Sequence, residues 1–296
     1  MKKKILFRGT ATALVTPFQD GEIDYEALGG IIEMQISGGV EALVVGGTTG
    51  EAATLSDKER YELYEFALKK IDGRVKVILG TGTNDTRIAE KHTKFASSLS
   101  PDGVLAVTPY YNKGTESGVV SHYLHIADVS RVGVILYNVP SRTGVNLTLN
   151  TLEELSRHEN IVAIKEASDS TDRLVELSRF GESLSLYAGN DSQIYPTLAL
   201  GGLGVISVAS NLYPCQISEI ARLYFAGRHE ESLLAQQNAL PLIHALFMET
   251  NPTPVKYAMH LLGLCSPEMR LPLSLPTFVT RRRLEDLIVR SPSSPK

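Results

Sequence analysis

Val132-Gly133-Val134-Ile135-Leu136 and Ile161-Val162-Ala163-Ile164 are two short runs without a charged or polar side chain. Neither alternates apolar with polar residues. Both are apolar throughout, as strands buried on both faces of a parallel sheet must be. Each also ends on chemistry: Leu136 is followed by Tyr137-Asn138-Val139-Pro140-Ser141-Arg142-Thr143-Gly144, and Ile164 by Lys165-Glu166-Ala167-Ser168. Two consecutive strand ends thus offer a phenol, a guanidinium and an amine, the equipment for carbonyl chemistry on an anionic substrate.

Similar apolar runs recur at residues 10–15, 42–45, 75–79, 104–107, 184–187 and 204–208, which makes eight candidate strands in all. Helical patterns fill the gaps. Ser56 with Glu59 forms a capping box, Leu63, Tyr64, Phe66, Ala67 and Ile71 follow near 3.6-residue spacing, and Gly73 fits a C′ position. Thr151 with Glu154 offers a second capping box, and Leu174, Leu177 and Phe180 mark another apolar face. Strand–helix alternation repeated eight times predicts an α/β fold, a (β/α)8 TIM barrel. The competing layout is an open doubly wound sheet. It needs a glycine-rich nucleotide turn after the first strand, and Thr16-Pro17-Phe18-Gln19-Asp20-Gly21 is not one. After the eighth run the pattern is helical from about residue 214 to 289, with three or so helices. The division expected is a barrel carrying the active site over residues 1–228 and a C-terminal helical extension over 229–296, with a frayed polar tail from Ser291.

Composition excludes several classes. The chain has 296 residues, 43% hydrophobic and 21% charged, and its net charge is 29 − 33 = −4, which gives no reason to expect nucleic acid or an anionic membrane as partner. Cys215 and Cys265 lie far apart and form no CxxC pair, so neither a disulfide framework nor a structural zinc site is expected, and a reducing, cytoplasmic setting fits. Met1-Lys2-Lys3-Lys4 resembles the start of a secretion signal, but the apolar stretch Ile5-Leu6-Phe7 stops at Arg8, too short for an export signal. No run approaches the ~20 apolar residues that span a bilayer.

In a barrel the reactive groups lie where the strands end at their carboxyl side. Those positions read Gly46-Gly47-Thr48-Thr49-Gly50-Glu51, Gly80-Thr81-Gly82-Thr83-Asn84, Thr108-Pro109-Tyr110-Tyr111-Asn112, then Tyr137 and Arg142, Lys165 and Glu166, Ala188-Gly189-Asn190-Asp191, and Ile206. Each has a bland alternative. The first is also a tight turn, though no phosphate loop, since no Gly-Lys-Ser/Thr follows; the second lacks the third glycine of a dinucleotide fingerprint. Tyr110-Tyr111 is also a packed aromatic pair, Arg142 a surface ion-pair partner, and Lys165 a partner for Glu166. His122 and His125 have metal-compatible spacing but no accompanying acid or cysteine cluster, so they read as one helix face and no metal site is expected. No Ser-His-Asp order or GxSxG elbow occurs.

The functional reading needs all these groups at one end of one barrel, and the strand register supplies that. A lysine attacks a carbonyl only as the free amine; burial must bring its pKa down from about 10.4 toward ~7–8. Tyr137, one strand over, can shuttle the protons of imine formation. Thr48 and Thr49 can hold a carboxylate through hydroxyl and backbone donors, and Arg142 can grip a second one bidentately.

Gly47-Thr48-Thr49-Gly50-Glu51, the Tyr137–Gly144 segment, and Ile164-Lys165-Glu166-Ala167 together resemble the dihydrodipicolinate synthase family, within the pyruvate-dependent class I aldolases that include N-acetylneuraminate lyase. The likeness runs from about Gly9 into the C-terminal helices, where Asn251-Pro252-Thr253-Pro254-Val255-Lys256 also looks like a family segment. The resemblance implies a Schiff-base lysine at Lys165 and a proton-transferring tyrosine at Tyr137. It implies a proton relay through Thr48 and Tyr111, with Tyr111 reaching across from a neighbouring subunit. It further implies pyruvate contacts at Thr49 and at the backbone of Ile206, a backbone border at Gly189, and a grip on the carboxylate of L-aspartate 4-semialdehyde by Arg142. No cofactor is implied. The assembly implied is a homotetramer, a dimer of dimers, acting on pyruvate and the semialdehyde in lysine and diaminopimelate biosynthesis. Lysine-inhibited relatives carry two histidines and a glutamate at an interface site. The corresponding positions here are Asp57, Arg60 and Ile88, while Asn84 and Tyr110 still match, so weak or absent feedback by lysine is expected. The nearest rival is another pyruvate-dependent aldolase, for N-acetylneuraminate or 2-keto-3-deoxy sugar acids. A rival of another class is a non-catalytic binding barrel, against which the presence of both Lys165 and Tyr137 speaks.

Overall fold

All eight apolar runs become strands of one closed parallel barrel, seen in a computed structural model that describes residues 3–288. In chain order the strands are β1 (Gly9–Ala13), a short antiparallel hairpin of β2 (Phe18–Gln19) and β3 (Glu22–Ile23), then β4 (Ala42–Val45), β5 (Lys76–Gly80), β6 (Gly103–Val107), β7 (Gly133–Asn138), β8 (Ile161–Glu166), β9 (Ser185–Ala188) and β10 (Gly204–Ser207). Neighbours in sequence are neighbours in the barrel, and β10 closes on β1. The hairpin falls in the stretch read only as lacking a nucleotide turn; two-residue strands are too short to leave a periodicity.

The helices are α1 (Tyr25–Ser37), α2 (Asp57–Ile71), α3 (Thr86–Ser98), α4 (Glu116–Val129), α5 (Pro140–Thr143), α6 (Leu149–Leu155), α7 (Thr171–Ser178), α8 (Ile194–Ala199), α9 (Pro214–Phe225), α10 (His229–Leu246), α11 (Thr253–Leu261) and α12 (Phe278–Ile288). The capping box at Ser56 and Glu59 is present, and α2 ends on left-handed residues at Asp72 and Gly73. The second expected box is not. Helix α6 begins one turn earlier: Thr148 is the N-cap, its Oγ accepting from the Thr151 amide at 3.1 Å, and Thr151 is already helical. Two threonines three apart carry identical capping chemistry, and only the chain's path decides between them.

Why the barrel forms follows from the strands' two apolar faces. Side chains alternate across each strand, so one set points inward and the next outward. Inward, Ala11, Ala42, Val44, Ile78, Leu105, Ile135, Ala163, Tyr187 and Ile206 fill the interior. Leu6 and Phe7 join that cluster, and Phe7 stacks on Tyr187 at 4.3 Å. Outward, Leu43, Val77, Leu79, Val104, Leu136 and Ile164 pack under the helices. The closing seam requires glycine: a Cβ on Gly204, at φ 151°, would lie 1.8 Å from the carbonyl oxygen of Gly9.

Beyond β10 the described chain holds four helices rather than about three. Helix α9 packs against β1 and α8, and α10 against α9 and α12. Ile243, Leu246, Val255, Met259 and Leu284 from these helices belong to the same apolar cluster as the outer faces of the strands. Val289 and the polar tail lie outside the described residues. Among the described residues no helix is long and apolar enough to cross a membrane.

Candidate active site

Lys165 and Tyr137 sit side by side because β7 and β8 pair in register there. Both alternate inward, Tyr137 two residues after Ile135 and Lys165 two after Ala163, so their side chains cap the barrel's interior at its carboxyl end. The Lys165 Nζ lies 4.3 Å from the centre of the Tyr137 ring. Only 5% of Lys165 and 7% of Tyr137 is exposed, and that decides their chemistry. Burial brings the Lys165 pKa down to about 8, with the Arg142 cation adding to the effect and the buried Asp191 carboxylate opposing it. Burial raises the Tyr137 phenol, while Arg142 and a hydrogen bond with Thr48 pull it back.

The alternative partner for Lys165 is removed by the strand's alternation. Glu166, the next residue, points outward and is fully buried there. It accepts from the Asn138 amide at 3.0 and 3.1 Å and from the Ser168 amide at 2.9 Å, with the Arg173 guanidinium at 3.5 Å. Among the described residues no carboxylate lies within ion-pairing distance of Lys165.

A cleft of about 690 Å³ opens above the lysine, and Thr49, Tyr137, Arg142, Lys165, Gly189 and Asp191 all line it. Thr49 is held on a single 3-10 turn, Thr48–Gly50, that follows β4. Thr48 faces the other way, into a second cavity of about 500 Å³ that shares Tyr137, Val139, Arg142 and Asn251 with the cleft. Arg142 lies on α5, the turn that follows β7, and donates to the Asn251 carbonyl at 2.7 Å. Gly189 lies against β8, where a Cβ would come within 2.8 Å of the Glu166 carbonyl oxygen.

Two expected site residues, Ile206 by its backbone and Tyr111 in a neighbouring subunit, are not among the residues lining the cleft. The Ile206 side chain is fully buried in the barrel interior, and Val208, two residues on, lines the cleft. The strand spans Gly204–Ser207, ending one residue before the apolar run does. Tyr111 is 88% exposed and lines neither cavity of its own chain. Its φ of 72° is unusual for a bulky residue. His122 and His125 do share α4, but each is occupied: His122 with the Thr86 hydroxyl at 2.9 Å and His125 with Glu90 at 3.1 Å.

Other groups come to the site without having been singled out. Asp191 was legible only as a residue after the seventh run. It is fully buried at the cleft, accepting from Ser207 and from the amides of Val208 and Ala209 at 2.9 and 3.2 Å. The end of α10 and the segment behind it supply His244, Phe247, Glu249 and Asn251 to the rim. Further along that segment, Lys256 is buried against Glu51 at 2.6 Å and donates to the Thr16 carbonyl at 2.9 Å. The Asn251–Lys256 motif was the available signal, but nothing in its spacing revealed contacts more than 200 residues away along the chain.

The chain is similar to known proteins over most of its length. The family model described as the dihydrodipicolinate synthetase family matches residues 6–289. The 4-hydroxy-tetrahydrodipicolinate synthase of Clostridium novyi is 47% identical over 269 residues, which is 90% of this chain and 91% of that one. The crystal structure of dihydrodipicolinate synthase from Aquifex aeolicus superposes with a TM-score of 0.94 at 42% identity, covering 96% of this chain and 98% of that one. A chloride-inhibited relative from Acinetobacter baumannii, crystallised with pyruvate, superposes with a TM-score of 0.92 at 37% identity, over 95% and 97% of the two chains.

Proposed function

The chain belongs to the dihydrodipicolinate synthetase family, and from that premise we propose how its site works as a Schiff-base-forming lyase of the class I aldolase type, a 4-hydroxy-tetrahydrodipicolinate synthase. Its substrates are pyruvate and L-aspartate 4-semialdehyde. The observation that carries the reading is a buried lysine amine with a pKa of about 8, against a buried phenol, at the carboxyl end of the barrel.

Lys165 Nζ attacks the ketone carbon of pyruvate. The carbinolamine loses water, and the resulting iminium is the electron sink that makes the methyl carbon acidic. Loss of a methyl proton gives the enamine, whose carbon attacks the aldehyde of the semialdehyde; the alkoxide formed takes up a proton. The substrate's own amine then adds to the iminium carbon and expels the Lys165 amine, closing the ring and regenerating the enzyme. Tyr137 gives and takes the protons at each stage, with Thr48 relaying them from the second cavity's side. Thr49 donates to the pyruvate carboxylate, the backbone about Gly189 and Ile206 borders it, and Arg142 holds the carboxylate of the semialdehyde. That second carboxylate separates this enzyme from aldolases of sugar acids, which bring hydroxyls there.

Tyr111 completes the relay from a neighbouring subunit in a homotetramer. Its exposure, and its absence from the lining of both cavities of its own chain, support that reading. A cytoplasmic setting is proposed from the two free cysteines, Cys215 and Cys265. Turnover assayed with the semialdehyde, and separately with N-acetylmannosamine as the aldehyde, tests the assignment. Rapid consumption of the semialdehyde alone is expected; preference for the sugar would overturn it.

A further inference from the structure

Asn251 touches both groups assigned to the substrates' carboxylates, and it does so with different atoms. It is 5% exposed and lines the cleft. Its side-chain Nδ2 donates to the Thr49 hydroxyl oxygen at 2.9 Å. Its backbone carbonyl accepts from Arg142 Nη2 at 2.7 Å. Its Oδ1 is buried with no hydrogen-bond partner.

The direction of the first bond matters. A hydroxyl has one proton to give. With a lone pair of Thr49 occupied by the Asn251 N–H, the threonine's proton remains free to be donated elsewhere, and an anionic carboxylate can only accept. The reverse orientation, with the amide oxygen against Thr49, would draw that proton toward Asn251 and offer the carboxylate a lone pair instead. Resting on the function argued above, we propose that Asn251, supplied by the C-terminal extension, is a positioning residue that fixes the Thr49 hydroxyl as a donor to pyruvate. Its backbone carbonyl meanwhile steadies Arg142 for the second substrate.

The two arms are separable because side-chain substitution removes only one. Asn251→Asp keeps the shape and replaces the amide donor with an acceptor. It enforces the reversed hydroxyl and adds a negative charge beside an anionic ligand. Asn251→Ala removes the donor alone. Loss of one hydrogen bond to a charged group corresponds to about tenfold in affinity. The expected result is a pyruvate KM raised about tenfold in Asn251→Ala and further in Asn251→Asp, with the semialdehyde KM changed less than threefold in both.

Borohydride trapping of pyruvate on the full-length chain, followed by intact mass at graded pyruvate concentrations, tests the assignment. The parent chain must form the adduct; if it does not, the Schiff-base reading fails, whatever Asn251 does. Given that adduct, half-saturation moving to about tenfold higher pyruvate in Asn251→Ala, and higher still in Asn251→Asp, supports the assignment. Unchanged half-saturation in Asn251→Asp overturns it, as does an equal rise in both substrates' KM, which is what a general loosening of the site would give. Should Asn251→Ala fold poorly by near-ultraviolet circular dichroism, the near-isosteric Asn251→Asp carries the test alone.

Discussion

Lys165 and Glu166 are adjacent in the chain and opposite in fate. The pleat sends the glutamate outward into a network of amide and guanidinium donors and the lysine inward, where among the described residues no acid is close enough to pair with it. The consequence is quantitative. With a pKa of about 8, about a tenth of Lys165 is free amine at pH 7, against about one part in three thousand at the ordinary value of 10.5. Imine formation should therefore rise as pH climbs through about 8 and level off above it. Asp191 opposes the effect of burial by favouring the ammonium. Asn at this position removes that charge, so Asp191→Asn should move the rise to lower pH, read from the rate of pyruvate adduct formation across pH 6 to 9. A shift to higher pH would contradict the assigned electrostatics. This scale was the most legible in the sequence where motif and strand end coincided, at Lys165, Tyr137, Arg142 and Thr49. It was illegible at Asp191, because a lone acid after a strand carries no mark of the burial that gives it influence.

Among elements, the strands could be read because burial on both faces leaves an unmistakable composition, and all eight runs fell within a residue or two of the observed bounds. Helix starts leave a weaker mark, because Thr148 and Thr151 carry the same capping chemistry and only Thr148 is the N-cap. What no local pattern exposed was the way the C-terminal extension braces the loop that follows β4. Lys256 and Glu51 are both completely buried and paired, and Glu51 also accepts from the Arg270 amide at 3.0 Å. Glu51 holds a left-handed φ of 54°, directly after the turn carrying Thr48 and Thr49. Removing one partner of such a pair leaves an uncompensated buried charge, at a cost of about 3–5 kcal/mol. Lys256→Met should lower the stability by that order in urea unfolding, while the double replacement Lys256→Met with Glu51→Leu should recover part of it. Equal losses in the single and double variants would show that the pair is not what holds the loop.

At the scale of the whole molecule, the fold followed from the repeat of strand and helix, whereas assembly and regulation depend on surfaces a single chain only half defines. The second cavity gathers Asp57, Arg60, Ile88 and Tyr110 on the far side of the Tyr137 and Arg142 wall. Its chemistry is unsuited to a lysine ligand. The Asp57 carboxylate, held down to about 2 by Lys91 and His92, is already occupied at 2.5 and 2.9 Å. Arg60 brings a positive charge, and Ile88 offers no polar group. Turnover should therefore be unchanged by 1 mM lysine; half-inhibition at sub-millimolar lysine would refute this. Covalent bonding of the buried Lys165 amine to a 2-oxo acid is read out by borohydride reduction in the presence of pyruvate with intact mass and peptide mapping. One pyruvate-derived adduct per chain on Lys165, absent from Lys165→Ala, is the predicted result, and an unmodified chain or an adduct on another residue would contradict it.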